Sequence, residues 1–292
     1  MGKKKNKKKD AAKKEELKKK KDAKANKKLS KKARKEAKAM GEDHIDELVK
    51  QFQVLDDKKS DAVVKANVAR PGPRCYPSLA TLPTGDIAMF AGEYFDGRVT
   101  SMYNDLYLYT PESDSWKKVE SEYSPAPRSS HQSVVYREHM YIFAGEFATT
   151  NQFYHYKDFW RYHCGTNAWE LVDAKNGPSQ RSGHRMVVWR NYIIVFGGFY
   201  DVSREMKFYN DVHIFCTREM RWRKFQFDSL KPQPNPRSGC GLVVHPSKDE
   251  LFMYGGYTEI RIGKQTTKGR CNSDIWKLKL TPAKKFNDVK AT

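Results

Sequence analysis

His131 and His184 each stand three residues after an arginine, and the same place later in the chain holds Cys240. Imidazole is the commonest general base at neutral pH, so a histidine at a fixed spacing is the first residue to weigh for catalysis. Glu93 and Glu146 form a second candidate pair, each directly after a glycine, with 53 residues between those glycines. Both sets read as structural. The histidines are locked to one position of a repeat, and carboxylates a whole repeat apart do not make an acid–base pair. The 292 residues contain no GxxxxGK[ST], no HExxH and no GxSxG. The five cysteines, Cys75, Cys164, Cys216, Cys240 and Cys271, lie at least 24 residues apart, so no CxxC exists for zinc or thiol exchange. Reduced thiols packed as small hydrophobes in an intracellular protein, cytoplasmic or nuclear, are the expectation. Catalysis, a metal and a cofactor are not expected.

What holds these residues is a repeat. Met89-Phe90-Ala91-Gly92, Ile142-Phe143-Ala144-Gly145, Val195-Phe196-Gly197-Gly198 and Met253-Tyr254-Gly255-Gly256 align, with steps of 53, 53 and 58 residues between their last glycines. Asp105, Asp158 and Asp211 follow 13 residues after the first three, and Asp274 follows 18 after the fourth. Trp116, Trp169 and Trp222 come 11 residues beyond the first three Asp positions, and each unit opens on an arginine: Arg74, Arg128, Arg181 or Arg237. Within a unit the pattern is β: short apolar runs such as Met186–Trp189 and Ile193–Phe196, broken by turn residues, then an alternating run from Asp211 to Cys216. Four strands of this length make a small antiparallel sheet that cannot bury its faces alone, so copies must stack. Glycine at the strand end admits positive φ and close backbone approach, Asp is expected to bond nearby backbone amides, and one indole per unit supplies packing area.

The charge sets this repeat region apart. Residues 1–40 hold 20 of the 55 Lys and Arg against five acids, a net +15 of the chain's +20, and contain no aromatic residue. Such a segment cannot bury enough apolar surface to offset its ordering entropy. Its lysine runs, Lys3, Lys4, Lys5, Lys7, Lys8, Lys9 and Lys18, Lys19, Lys20, Lys21, suit a polyanion such as RNA, held through phosphate charge. No apolar run approaches the length of a membrane span, and no secretory signal follows the charged start. His44–Leu55 places Ile45, Leu48, Val49, Phe52 and Leu55 on one face, which predicts a short amphipathic helix. The expected organisation is a Lys-rich tail over 1–40, helix and linker over 41–73, four repeats over 74–281 with the last lacking a strand, and a tail over 282–292.

A period near 50 with a diglycine and one Trp per unit resembles the kelch repeat, whose units are blades of a β-propeller. The fold class expected is all-β, a kelch-type propeller of about four blades forming an incomplete ring. Further segments, among them Ala91–Phe95, Tyr103–Tyr107, Gln152-Phe153-Tyr154-His155-Tyr156-Lys157-Asp158 and Arg181–Val187, are similar to the kelch domain-containing protein 4 family. That resemblance implies six blades and a longer C-terminus, so a second chain or missing blades are expected to complete the ring. It implies no established activity.

In kelch proteins the glycine-to-Asp loops line one end of the propeller and take the ligand. Here they are aromatic, which marks Phe147, Phe153, Tyr154, His155, Tyr200, Arg204 and Phe208 as candidates for a protein or peptide partner, with Arg98 and Arg261 for its carboxylates. Tyr103, Tyr156 and Tyr209 recur two residues before Asp and read as partly structural. The leading expectation is a non-enzymatic interaction module with a polybasic tail for attachment or targeting. The alternative is a nucleic-acid-associated factor whose tail holds polyanion while the propeller recruits a partner.

Overall fold

The computed structural model describes residues 62–149, 152–202, 205–227, 231–262, 267–282, 286 and 289–291. Blade one is a five-stranded sheet built from β1 (Val63–Val68), β2 (Ser78–Thr81), β3 (Ile87–Phe95), β4 (Thr100–Thr110) and β5 (Ser115–Glu120), ordered β1-β5-β4-β3-β2. Blade two comprises β6 (Gln132–Tyr136), β7 (His139–Phe143), β10 (Phe159–His163) and β11 (Ala168–Leu171), with a hairpin of β8 (Glu146–Ala148) and β9 (Phe153–His155) rising between β7 and β10. Blade three repeats the plan with β12 (Arg185–Trp189), β13 (Tyr192–Phe196), β16 (Val212–Cys216) and β17 (Arg221–Lys224), and a hairpin of β14 (Phe199–Val202) and β15 (Glu205–Phe208). Blade four has β18 (Gly241–Val244), β19 (Glu250–Tyr254), β22 (Ile275–Thr281) and β23 (Lys290–Ala291), with its hairpin β20 (Tyr257–Arg261) and β21 (Thr267–Cys271). Every pairing is antiparallel.

The sheets stack through their first strands, β2 against β6, β6 against β12 and β12 against β18, and β18 does not pack on β2 in the same way. This is an incomplete propeller. Stacking explains the burial: β13 and β16 are buried at all five positions because blade three is covered on both faces, whereas β19 and β22 alternate between buried and open. Three aromatic-rich cores fill the joints between successive blades.

Two expectations change. The fold class does not include the amphipathic helix: among the described residues no α-helix occurs, the helical turns being 3-10 at Pro111–Ser113 and Phe286, and His44–Leu55 lies outside the described residues. Blade four is also not short of a strand, because β23 pairs Leu280 and Thr281 with Ala291 and Lys290. Phe286, buried in the joint beside Trp189 and Tyr192, fills the core where the other units carry tryptophan.

Each glycine marker has a steric cause. Gly145 has φ +98°, and a Cβ there would stand 2.7 Å from both the Ser129 carbonyl oxygen and His131 Cβ. The Asp markers differ from expectation. Their carboxylates accept from the arginine that opens the same unit: Arg128 to Asp158 at 2.8 and 2.7 Å, Arg181 to Asp211 at 2.7 and 3.1 Å. Asp105 and Asp274 receive Arg74 and Arg237 likewise. Each arginine also donates to the carbonyl before the marker glycine, at Ala91, Ala144, Gly197 or Gly255. The recurring Tyr103, Tyr156 and Tyr209 lie 4.1–4.3 Å from the guanidinium carbons of Arg74, Arg128 and Arg181. Trp169 and Trp222 are buried against the preceding blade, and Trp116, on the first blade, is half-buried.

Candidate functional site

The hairpins β8–β9, β14–β15 and β20–β21 continue the second and third strands of their blades at one end, and β3 and β4 run on together at the same place in blade one. Bridges Cys75–Glu93, Ser129–Glu146, Ser182–Phe199 and Ser238–Tyr257 tie each unit's opening to the residue after its marker glycine. Side chains stitch neighbouring blades beneath this surface. Ser129 donates to Glu93 Oε2 at 2.7 Å, and Ser182 Oγ lies 2.7 Å from His155 Nδ1.

Ser182, His155 and Glu146 bring together the residue types of a hydrolytic triad, but their wiring forbids that chemistry. His155 Nε2 accepts the backbone N–H of Asp201 at 2.9 Å, so the neutral ring carries its proton on Nδ1. Nδ1 therefore donates to Ser182 and cannot take its proton. Glu146 Oε2 lies 3.7 Å from that same nitrogen, not from the far one as a triad requires. Burial pushes the His155 imidazole down to about 4, which keeps the ring neutral, and burial also raises the Glu146 carboxyl above its ordinary range. Among the described residues no three or more His, Cys, Asp or Glu side chains are grouped to hold a metal ion.

The buried histidines make acid stability testable. Burial, then the Arg128 charge, lowers His131 to about 3, and burial with Arg181 holds His184 well below the ordinary imidazole range. Both rings are neutral when folded and protonate near pH 6.5 when unfolded, so the unfolded state binds more protons as pH falls from 6.5 toward 4. Stability is therefore full above pH 6.5 and declines through that window, by up to about 1.4 kcal/mol per pH unit for each imidazole, His155 included. Glu146, raised, opposes them with one proton against three. Melting temperatures at pH 7.5, 6 and 5 are expected to fall in that order, and a flat profile would contradict neutral burial.

The hairpin surface collects most of the aromatic candidates. Phe147 and Tyr154 stack at 5.3 Å, and the Tyr154 and Tyr156 hydroxyls meet at 3.2 Å. Phe153 is exposed, whereas His155 is buried among Phe153, Phe199 and Tyr200, whose rings lie 4.9–5.3 Å away. Phe208 is half-buried between Phe199 and Tyr257. Arg98 is exposed in the turn after β3, apart from this cluster, and Arg261 is on β20 opposite Thr267. Arg204 and the lysines of residues 1–40 lie outside the described residues. Of the cysteines, Cys216 and Cys240 are buried as expected, but Cys75 and Cys271 are exposed.

A groove of about 510 Å³ opens between the third and fourth hairpins, with Phe208 as one wall. Met206, Lys207, Thr258, Glu259, Ile260 and Arg270 line it with Asn235 and Pro236, and sequence reasoning passed over all eight. Their signal is the period-2 alternation of two paired hairpin strands, which a search for isolated aromatics does not register.

Four stacked antiparallel sheets, each with an Arg–Asp clamp, a marker glycine and a hairpin raised at the same end, define a kelch-repeat β-propeller. Residues 78–290 match the family described as KLHDC2/KLHL20/DRC7 Kelch-repeats domain, and the chain belongs to that family. It is 27% identical over 172 residues to an F-box/kelch-repeat protein of Arabidopsis thaliana, covering 56% of this chain and 32% of that one. Against kelch domain-containing protein 2 of Rattus norvegicus it is 24% identical over 201 residues, 59% of this chain and 48% of the relative. The leucine-zipper-like transcriptional regulator 1 homolog of Drosophila melanogaster is 27% identical over 190 residues, 63% and 18% respectively. The chain thus spans less than half the length of each of these relatives. Its kelch domain is a non-catalytic scaffold for protein interaction, and no helix among the described residues is long and apolar enough to cross a membrane.

Proposed function

We propose that this intracellular protein, cytoplasmic or nuclear, recognises an extended peptide segment of a protein partner in the groove between β14–β15 and β20–β21. The groove carries the reading. It offers apolar contacts at Met206, Phe208 and Ile260 beside Lys207, Glu259 and Arg270, so a segment with alternating apolar and charged side chains fits it. Tyr200 on β14, with Phe153 and Tyr154 on β9 of the neighbouring hairpin, would extend the contact as aromatic anchors. Closer kinship with the kelch domain-containing protein 4 family is part of this reading, supported by the Gln152–Asp158 segment.

A second reading rests on the net +15 of residues 1–40: a tail that holds RNA or another polyanion while the propeller recruits its partner. One capture experiment separates the two. Met206→Glu with Ile260→Glu, both at exposed positions, is expected to cut recovery of protein partners at least tenfold with little change in melting temperature. Removal of residues 1–40 is expected to spare that recovery and abolish salt-sensitive RNA retention. Partner recovery that survives the groove changes but fails on nuclease treatment would favour the second reading.

A further inference from the structure

In an antiparallel hairpin alternate residues bond across to the partner strand, and the rest turn their backbone N–H and C=O outward. The register fixes which residues do which. Tyr209 donates to Gly198 O at 2.9 Å and Asn272 to Gly256 O at 2.8 Å, each one rung below β14–β15 and β20–β21. Counting rungs from there turns the backbones of Phe199, Asp201, Met206 and Phe208 outward in one hairpin, and those of Tyr257 and Glu259 in the other. Bonds that leave the hairpins agree with the count. Phe199 exchanges both its bonds with Ser182 at 2.9 Å, Tyr257 does so with Ser238 at 2.8 Å, and Asp201 donates to His155 Nε2 at 2.9 Å.

Two successive gaps between hairpins are closed differently. Between the second and third, β9 packs on β14, and the His155 ring takes the outward N–H of Asp201 while its other nitrogen lies 2.7 Å from Ser182 Oγ. One blade on, Phe208, Glu259 and Ser238 hold the repeat positions of His155, Asp201 and Ser182. His155 and Phe208 each stand three residues before the clamp Asp, and Asp201 and Glu259 three after the marker glycine. A phenyl ring cannot take the place of the imidazole nitrogen, and among the described residues nothing accepts the Glu259 N–H. β15 does not pack on β20 as β9 does on β14, and the groove of about 510 Å³ lies between them. The outward edge of β15, at Met206 and Phe208, therefore faces the outward edge of β20, at Glu259, across open space. The side chains sort by the same count. Met206 and Phe208 share a face with Glu259, whose carboxylate accepts the Tyr257 hydroxyl at 3.1 Å. Lys207 is opposite Tyr200 and Arg270 opposite Thr258, which are equivalent repeat positions, so both cations stand on the other face.

Resting on the peptide-binding reading above, we propose that the partner segment enters this groove as a β-strand, bonded through its main chain to β15 on one edge and to β20 on the other. Its apolar side chains lie toward Met206 and Phe208, and its acidic side chains toward Lys207 and Arg270. One of its carbonyls accepts the Glu259 N–H, as His155 Nε2 does for Asp201. Strand addition draws affinity from main-chain bonds and specificity from alternate side chains, and two facing free edges supply both halves of that recognition. Because both edges of the inserted strand are in use, the segment tolerates no proline within the groove.

Hydrogen exchange at the Glu259 amide of the full chain tests it, because that signal is blind to an acidic peptide attaching to the Lys-rich tail. A short capped peptide in which valine alternates with glutamate is expected to slow exchange there at least tenfold. The same peptide N-methylated at its valines alone, or at its glutamates alone, is expected to need at least tenfold more for the same slowing, since each set of amides pairs with one edge. Charge and side chains are identical in the three peptides. Phe208→His, which rebuilds beside Ser238 the arrangement of His155 and Ser182, is expected to protect the Glu259 amide in the free chain and to weaken uptake of the parent peptide. No slowing by the parent peptide, or equal slowing by either methylated form, would overturn strand insertion. So would a Phe208→His chain whose Glu259 amide is protected but which takes up the peptide as readily as the unaltered one. The peptide-binding reading survives any of these results if Met206→Glu with Ile260→Glu still removes partner recovery, so the two fail separately.

Discussion

Arg181→Met is expected to cost about 3–5 kcal/mol, enough to unfold a domain of ordinary stability. Arg181 is fully buried, and its fork is committed in every direction. Nη1 donates to Gly197 O at 2.9 Å and Asp211 Oδ1 at 2.7 Å, Nη2 reaches Asp211 Oδ2 at 3.1 Å, and Nε donates to Ser179 O at 3.0 Å. Methionine fills much of the volume and leaves the buried carbonyl of Gly197 unpaired. It also leaves the Asp211 charge with only His213 at 3.1 Å and Lys224 at 3.9 Å beside it. Burial alone would raise the Asp211 carboxyl. Bonds from His213 and Arg181 outweigh burial and hold it below the usual carboxylate range. Removing one partner of such a pair is worse than removing both, so Arg181→Met/Asp211→Leu is expected to be more stable than Arg181→Met alone. Arg237→Met is expected to cost less, because the Asp274 side chain is 40% exposed and water can replace part of the lost pairing. Chemical denaturation of these chains, with Asp211→Leu alone to complete the cycle, checks the order, and additive effects for Arg181 and Asp211 would refute the coupling.

That clamp shows where the sequence stops being legible. Arg, Gly, Asp and Trp could each be found as recurring letters, because repetition alone reveals them. The pairing of Arg with Asp across 30 or 31 residues was not read, although the spacing is nearly constant in the first three units, because Asp has an equally familiar local role at strand starts. A purely electrostatic question, where the counter-ion of an arginine locked in an apolar repeat must be, would have found it. Blade four is less legible for a different reason. β23 is two residues long and Phe286 stands in for the indole, so neither length nor residue type carries the repeat there. In the hairpins, His155 reads as a binding residue from composition, but its ring nitrogens are both used inside the fold. A surface role can be inferred from residue type only when burial is known, and burial is set by the neighbouring blade.

The same dependence on the neighbour makes Trp116 and Trp222, identical in repeat position, respond differently to alanine. Trp222 packs on Phe143 and Phe159 of the preceding blade and on Phe215 of its own, with ring centres 5.6, 4.9 and 5.1 Å away. Truncation removes the largest side chain of that joint and leaves a cavity between two sheets, which cannot collapse without breaking the bonds from Gly145 to Arg181 and from Arg181 to Tyr156. Trp222→Ala is expected to cost about 3–5 kcal/mol. Trp116 is held by Tyr107 and Tyr109 of its own sheet, at 6.2 and 5.0 Å, and among the described residues no preceding blade packs on it. Trp116→Ala is expected to cost about 1 kcal/mol, the range of a partly exposed aromatic pair. Melting curves of the two variants measure the difference. Equal costs would mean that Trp116 is packed as deeply as Trp222, and that its repeat position alone decides its burial.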